Sequence, residues 1–268
     1  MTPTADDAEA AAVFGRAAAT YDTHIPFFAS HGARLVEIAG LELGERVLDV
    51  GCGRGATLLP AAVAVGASGR VVGIDLAEEM VDLLGAELEA AGLVTTTVRV
   101  GNAQALDMED ASFDVVISQM VLHLLPDPPA AAAECFRVLV PGGRCVASAP
   151  TESPGSELLR DIYEKYGARA TRPMAVPYRP DFDLSALLTG AGFEIGREEI
   201  VEMHFTFADV DAWWDWGWSN GIRALYEVIP PDDLESMREE ASAAMAATAT
   251  ADGIPFVHRA HVVVAEKP

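Results

Sequence analysis

Residues 47–56 read VLDVGCGRGA, a short apolar run that ends in three alternating glycines and holds a carboxylate, Asp49, within it. A glycine bend after a strand lets backbone N–H groups and the next helix N-terminus approach a ligand more closely than side chains would allow. Asp75, 20 residues after Gly55, closes the next apolar run and is placed to grip a ribose diol. Two ligand classes fit these residues. Gly51, Gly53 and Ala56 satisfy the G-x-G-x-x-A pattern of a dinucleotide site, which would make the chain a nicotinamide oxidoreductase. Asp49 argues the other way, because a buried charge is expensive and this one would oppose a pyrophosphate. Further along, GNAQAL and FDVVISQMVLHLLPD set Asn102, Ala103, Gln104, Ser118, Gln119 and His123 at successive strand ends. Such a row suits a ribose, a base and an amino-acid tail.

The elements that must position these residues alternate. RVLDV, RVVGID, TTTVRV, FDVVIS and RCVASA are Val- and Ile-rich runs, most ending near Gly, Pro or Asp. Between the second and third, Met80, Leu83, Leu84 and Leu88 fall at helical spacing, with Gly92 where a C-cap glycine belongs. DPPAAAAECFRVLVPGG predicts a proline-started helix followed by a Pro-Gly-Gly turn. Alternating β and α implies parallel strands with right-handed crossovers, a doubly wound α/β sheet. Residues 1–43 read as a helical cap with a disordered polar start, 44–150 as the core, and 151–180 as a proline-rich lid around one helix, SELLRDIYEKYG. Residues 181–268 complete the sheet, with a Trp-rich helical insertion. With no repeat and no linker, 1–268 is expected to be a single domain.

The combination D-x-G-x-G-x-G, Asp75, the Asn102–Ala103 pair and the polar end of the fourth strand resembles the class I S-adenosylmethionine (SAM) methyltransferases. It is most similar to their small-molecule branch related to the ubiquinone and menaquinone methyltransferases. The resemblance covers residues 14–150. It implies a seven-stranded Rossmann-like sheet with an antiparallel last strand, and SAM as cofactor. The loop at Asp49, Gly51, Cys52, Gly53 and Gly55 would cradle the methionine part, and Asp75 would hold the ribose. Leu76, Met80, Asn102, Ala103 and Gln104 would surround the adenine, and Ser118 and Gln119 would close on the methionine tail. FGRAAATYD resembles the family's leading helix, with Tyr21 folding over the cofactor. A sulfonium fits an acidic, backbone-lined cleft without the cations a pyrophosphate prefers. The other readings are the oxidoreductase and a SAM-binding protein of this fold with a non-methylating reaction.

On the acceptor side, His123 is either a general base or a packed histidine that holds its loop. His24, His31 and His204 are weaker candidates, and His258 and His261 read as structural residues of a strand. Trp213, Trp214, Trp216 and Trp218 span more than half of a helix circumference, wider than one core stripe. Trp213 and Trp214 are therefore expected to line an apolar substrate pocket with Phe27, Phe28, Tyr163 and Tyr178. The alternative is core on one face and lid contact on the other. Lys165, Arg169, Arg172 and Arg179 in the lid are either solvated or draw in an anionic substrate.

A net charge of −23 disfavours nucleic acid and anionic membranes. No N-P-P-Y-type run marks the fourth strand, which also speaks against nucleic-acid modification. The partner expected is a small molecule, with homodimerisation left open. No targeting or membrane-spanning segment is read, and Cys52, Cys135 and Cys145 form no C-x-x-C pair, so a reduced cytoplasmic setting without a metal is expected.

Overall fold

The computed structural model describes residues 5–177, 179 and 181–268. Its strands are β1 (Arg46–Val50), β2 (Arg70–Asp75), β3 (Thr96–Val100), β4 (Phe113–Gln119), β5 (Leu139–Thr151), β6 (Glu194–Phe207) and β7 (Ile254–Glu266). Among the described residues they make one seven-stranded sheet in the order β3-β2-β1-β4-β5-β7-β6. β1 to β5 pair in parallel, and β7 runs antiparallel between β5 and β6. The helices are α1 (Ala5–Ala17), α2 (Phe27–Ala39), α3 (Leu58–Val65), α4 (Glu78–Ala91), α5 (Pro128–Val138), α6 (Glu157–Gly167), α7 (Leu184–Gly190), α8 (Val210–Trp218), α9 (Arg223–Tyr226) and α10 (Pro231–Ala246).

Both faces of the sheet are covered, so its central strands are apolar throughout. Leu48, Val50, Val72, Val116 and Ala147 pack under α5 and α7. Val47, Val71, Val115, Ile117 and Val146 pack under α2, α3 and α4. Strand alternation therefore sends the Asp49 side chain to the Val47 face, into a packed apolar layer. α4 buries Met80, Val81, Leu84 and Leu88, carries Glu78 and Glu79 in its first turn, and ends at Gly92 with φ 66°. Asp127 caps α5 by accepting from the Ala130 N–H at 3.1 Å.

β6 and β7 outrun their neighbour. β5 ends at Thr151, opposite Arg259, while the β6–β7 pairing continues to Phe207 and Ile254. On this overhang α6, α8 and α10 build a second apolar body with Ile162, Tyr166, Phe207, Trp214, Tyr226, Met237 and Met245. The cap thus hangs beyond the carboxyl edge of the parallel strands, where open α/β sheets bind their ligands.

Three expectations are corrected. The N-terminal segment is helical from Ala5, because Asp7, Val13 and Ala17 find buried partners; the expected disordered start otherwise lies outside the described residues. The Pro-Gly-Gly turn is absorbed into β5, where Gly142 at φ 78° donates to the Lys267 carbonyl and the register breaks against β4. The Trp-rich stretch is a short α8 followed by a separate α9, broken at Ser219–Asn220, whose side chains bond back to the Trp216 carbonyl. No helix of the described residues is long and apolar enough to cross a membrane.

Candidate active site

The glycine bend is pinned from below. Gly51 and Cys52 both donate to the Ile74 carbonyl, at 2.8 and 2.9 Å, which fastens the bend to the end of β2. Gly51 has φ 73°, and a Cβ there would lie 2.4 Å from Val121, so the backbone can run here only without a side chain. Asp75 completes the clamp. One carboxylate oxygen accepts from Gly53 N–H at 2.8 Å and the other from Ala77 N–H at 2.9 Å, joining the bend to the start of α4. Burial raises its pKa, against these backbone bonds and that of Leu76. Each oxygen retains a lone pair for a further donor.

Asp49 lies beneath the bend and is buried. The Thr57 hydroxyl donates to its Oδ2, and the Leu58 N–H also bonds to the carboxylate. Oδ1 is buried with no partner. Burial, and then the neighbouring Asp75 charge, hold the carboxyl at about 7, against the lowering pull of Thr57. A carboxylate kept in such a place calls for a cation or a donor from a ligand.

α1 and Tyr21 roof the bend. The Tyr21 ring lies 3.9 Å from where a Cβ on Gly53 would stand and stacks on Phe28, with centroids 4.4 Å apart and planes at 16°. Burial, reinforced by Asp75 and Asp22, raises the phenol pKa well above its ordinary value. Arg54 reaches up to the Ala18 carbonyl at 2.8 Å. Met80 packs with Ala18 and Ala77, with Tyr21 against them. At the β3 end, Gln104 donates to Asp7 at 3.0 Å and Asn102 donates to the same carboxylate at 3.4 Å. Ala103 is buried in the sheet core. At the β4 end, Ser118 donates to the Val50 carbonyl at 3.2 Å, and Gln119 donates to the Phe28 carbonyl at 2.9 Å.

The first turn of α2 divides the bend from a second group of side chains, an aromatic cluster. Asp22 fixes that turn by accepting from Phe28 and Ala29 N–H, both at 2.8 Å. Gly32 sits so close to Ala56 and Gln119 that a Cβ would come within 2.3 Å of the Ala56 carbonyl oxygen. Phe28 therefore faces Tyr21, while Phe27 and His31 face the β6–β7 overhang. Phe27 meets Trp216 at 5.3 Å, Phe205 at 5.4 Å and His258 at 4.8 Å. His258 Nδ1 and His31 Nε2 are 3.1 Å apart. His123 follows β4 on a single 3-10 turn, Leu122–Leu124. Its Nδ1 is buried with no partner, and burial, then the Arg179 charge, lower its pKa to about 4. The Trp216 indole N–H is likewise buried and unpartnered.

Comparison with known proteins gives this geometry its context. Residues 48–147 match the family described as a methyltransferase domain. The nocamycin O-methyltransferase of Saccharothrix syringae is 36% identical over 85% of this chain and 88% of its own length. The aklanonic acid methyltransferase DauC of Streptomyces sp. (strain C5) is 39% identical over 53% of this chain and 66% of its own. A candidate methyltransferase of Bacillus halodurans C-125 shares the fold, with a TM-score of 0.63 at 22% identity over 89% of this chain and 99% of its own. The chain belongs to the class I SAM-dependent methyltransferases.

In this methyltransferase several singled-out residues do other work. The Cys52 thiol packs against Gly73 of β2, and its N–H is spent on Ile74, so its side chain serves the bend from behind. Burial holds that thiol well above its ordinary pKa. Trp213, Trp214 and Tyr163 lie in the cap core: Trp214 stacks on Tyr226 at 4.5 Å, and Tyr163 hydrogen-bonds to Tyr226. The indole that reaches Phe27 is Trp216. Tyr178 lies outside the described residues. The lid cations face the protein's own groups. Lys165 pairs with Glu240, Arg169 with Asp233 and Arg172 with Glu9, while Arg179 donates to the carbonyls of His123 and Leu125. Lys165, Arg169 and Arg172 are exposed, as the solvated reading has it, and each is also paired with a carboxylate of the chain.

Sequence reading missed Asp7, His31, Phe205, Trp216, Phe256 and His258 as a group. For the histidines a signal was available: His258 and His261 are three apart in a strand and so point to opposite faces. His261 goes to Glu198 at 2.8 Å and His258 goes inward. Among the described residues no group of His, Cys, Asp and Glu could hold a metal ion.

Proposed function

We propose that the glycine-bend cleft binds SAM and that the methyl group passes to an oxygen of a small, flat, largely apolar molecule seated against Phe27, Phe205, Phe256 and Trp216. The observation that carries this reading is the partnerless Asp49 Oδ1 beneath the bend. An ammonium or sulfonium supplies what that carboxylate lacks, whereas a diphosphate would add charge of the same sign. The residues present fit the ligand. The Gly51–Gly55 backbone and Asp49 would hold the methionine portion, and the free lone pairs of Asp75 the ribose. Leu76, Met80, Asn102, Ala103 and Gln104 would flank the base, and Ser118 and Gln119 the tail. When bound, SAM supplies an electrophilic methyl on a positively charged sulfur.

The chain's own residues align and exclude. Tyr21, Phe28 and α1 close over the bend and keep water out. The first turn of α2 fixes the boundary between donor and acceptor. Holding an acceptor in line with a methyl is worth roughly 7–11 kcal/mol as effective molarity, so positioning dominates. The aromatic wall sets the acceptor's shape, and the unpartnered Trp216 N–H offers one donor to an acceptor oxygen. An oxygen acceptor agrees with the name of the nocamycin relative, and an acidic acceptor with that of the aklanonic acid relative.

Calorimetry on the full chain tests the cleft. SAM and its demethylated product, S-adenosylhomocysteine (SAH), are expected to bind with Kd in the range of about 1 μM to 1 mM, and NADH not at all. NADH binding with no response to SAM would overturn the reading. Tritiated-methyl SAM, offered with aklanonic acid, alizarin and hydroxynaphthoic acid, then reads out methyl transfer to oxygen. SAM binding with label recovered only on carbon or nitrogen of an acceptor would remove the oxygen assignment.

A further inference from the structure

The only imidazole pair in hydrogen-bond contact among the described residues stands on the acceptor side of the α2 turn, and the roles given so far leave it unused. His258 and His31 approach through Nδ1 and Nε2 at 3.1 Å, with ring centroids 4.9 Å apart and planes at 83°. His31 is buried. It is fixed on a helix whose first turn is capped by Asp22 and whose Gly32 lies against the glycine bend. His258 is fixed on β7, where the strand passes the end of β5, with its ring edge-on to Phe27. It is only partly buried, and it is near enough to His123 for that ring's charge to bear on it. The pair is thus built from α2 and β7, the elements that carry Phe27 and Phe256, two of the residues against which the acceptor is proposed to sit.

We propose that His258 is the general base of the transfer and that His31 is the residue that positions it. The proposal rests on the methyltransferase reading of the cleft. One proton must lie between two neutral imidazoles for their nitrogens to meet at hydrogen-bond distance. With that proton on His258 Nδ1, donated to His31 Nε2, the Nε2 of His258 carries the lone pair and faces the acceptor. The logic is that of a triad whose third member fixes the tautomer, with an imidazole in the place of a carboxylate. As the acceptor oxygen bonds to the methyl carbon and the S–CH3 pair returns to sulfur, giving a neutral thioether, the O–H proton passes to His258 Nε2. The imidazolium so formed is held by its Nδ1–H bond to His31. Burial keeps both rings neutral beforehand, His31 at about 4 and His258 at about 3. A buried neutral imidazole suits an acceptor whose own O–H is still protonated but acidic, a phenol beside a carbonyl or an enol, rather than an aliphatic alcohol.

Two readouts test this on the full chain saturated with SAH. Long-range proton–nitrogen NMR of the ¹⁵N-labelled protein at neutral pH reports which ring nitrogens carry protons, with H258Q and H31Q fixing the assignment. The expected spectrum has His258 protonated on Nδ1 and bare on Nε2, and in H31F that bias is lost to a mixture of tautomers. A His258 with bare Nδ1 overturns the proposal whether or not an acceptor has been found. With tritiated-methyl SAM and whichever of the three acceptors the parent methylates, H258F and H258Q are each expected to lose about 10²–10⁴ in kcat. Their affinity for SAH by calorimetry should match the parent. H31F should lower kcat without raising the acceptor KM, and H31Q, which restores an acceptor atom, should recover most of it. H258F and H258Q that bind SAH normally and keep kcat within about threefold of the parent would also overturn the proposal. A parent that binds neither SAM nor SAH would instead sink the reading of the cleft, which the calorimetry reports separately.

Discussion

Asp49 illustrates a residue whose cost to the fold and use to the site are one property. Its carboxyl sits at about 7 in the folded chain because burial outweighs the Thr57 bond, against about 3.9 when unfolded. Between those values the native state binds more protons, so raising the pH through this range lowers stability, and the cost is complete above pH 7. At 1.4 kcal/mol per pKa unit it reaches up to ~4 kcal/mol. In D49N the amide keeps an acceptor for Thr57 and removes the charge. The ligand-free variant is therefore expected to melt several degrees above the parent in mildly alkaline buffer, and the gain should vanish near pH 5. SAM should bind about 10–150-fold more weakly, the value of one charge-assisted bond. Calorimetric melting and titration check both halves; a D49N that melts lower in alkaline buffer would refute the account. Much of this was legible before the structure: a charge in VLDV is anomalous on sequence grounds alone. The Thr57 contact was not, because it depends on how the bend brings α3 back over β1.

At the scale of elements, α1 is a roof held by two kinds of fastening. Arg172–Glu9 is an exposed ion pair, worth roughly 0–1 kcal/mol, and Arg16 is an exposed cation on Glu227, which Arg223 also holds. Asp7 is different, being 2% exposed and accepting from Gln104 and Asn102 at the β3 end. Removing it takes an acceptor from two half-buried amides, of which Gln104 keeps the Asn102 side-chain oxygen at 3.2 Å, at a cost of about 1–3 kcal/mol. D7A is thus expected to weaken SAM binding about 5–150-fold and to expose the segment around Thr20 to limited proteolysis. R172A should change affinity by about threefold or less. Titration of both variants checks the order, and an R172A more damaging than D7A would reverse it. No sequence pattern announced this roof. MTPTADDAEA reads as a polar tail, and Asp7 becomes a buried anchor only through residues about a hundred positions away. β1 to β5 were legible because each carries its own period and its own Gly, Pro or Asp stop, which are local signals.

For the whole molecule, the consequential feature is the overhang of β6 and β7, since it brings His258 from near the chain's end against His31 near its start, with His123 close by. No local period encodes that meeting, so the strand pattern around VHRAHVVVAE was visible while its purpose was not. The convergence has a global readout. Burial lowers His31 and His123 to about 4 and His258 to about 3, whereas unfolded histidines titrate near 6.5. Between these limits the unfolded chain binds more protons at these sites, so their contribution is present above about pH 6.5 and is lost as the pH falls toward 4. Asp49 works in the opposite sense, being protonated in the native state and releasing its proton on unfolding. Asp22 and Asp75, also raised by burial, act in the same sense as Asp49, while the three imidazoles oppose them with up to about three protons taken up on unfolding, roughly 4 kcal/mol per pH unit. Melting temperature should therefore fall between pH 7 and 5, and H31Q/H258Q should flatten that fall by removing two of the three buried imidazoles. Melts of parent and double variant at matched ionic strength measure the difference. Equal slopes in the two proteins would mean that the imidazoles take up no extra protons on unfolding, and the packed, neutral histidine cluster described here would be wrong.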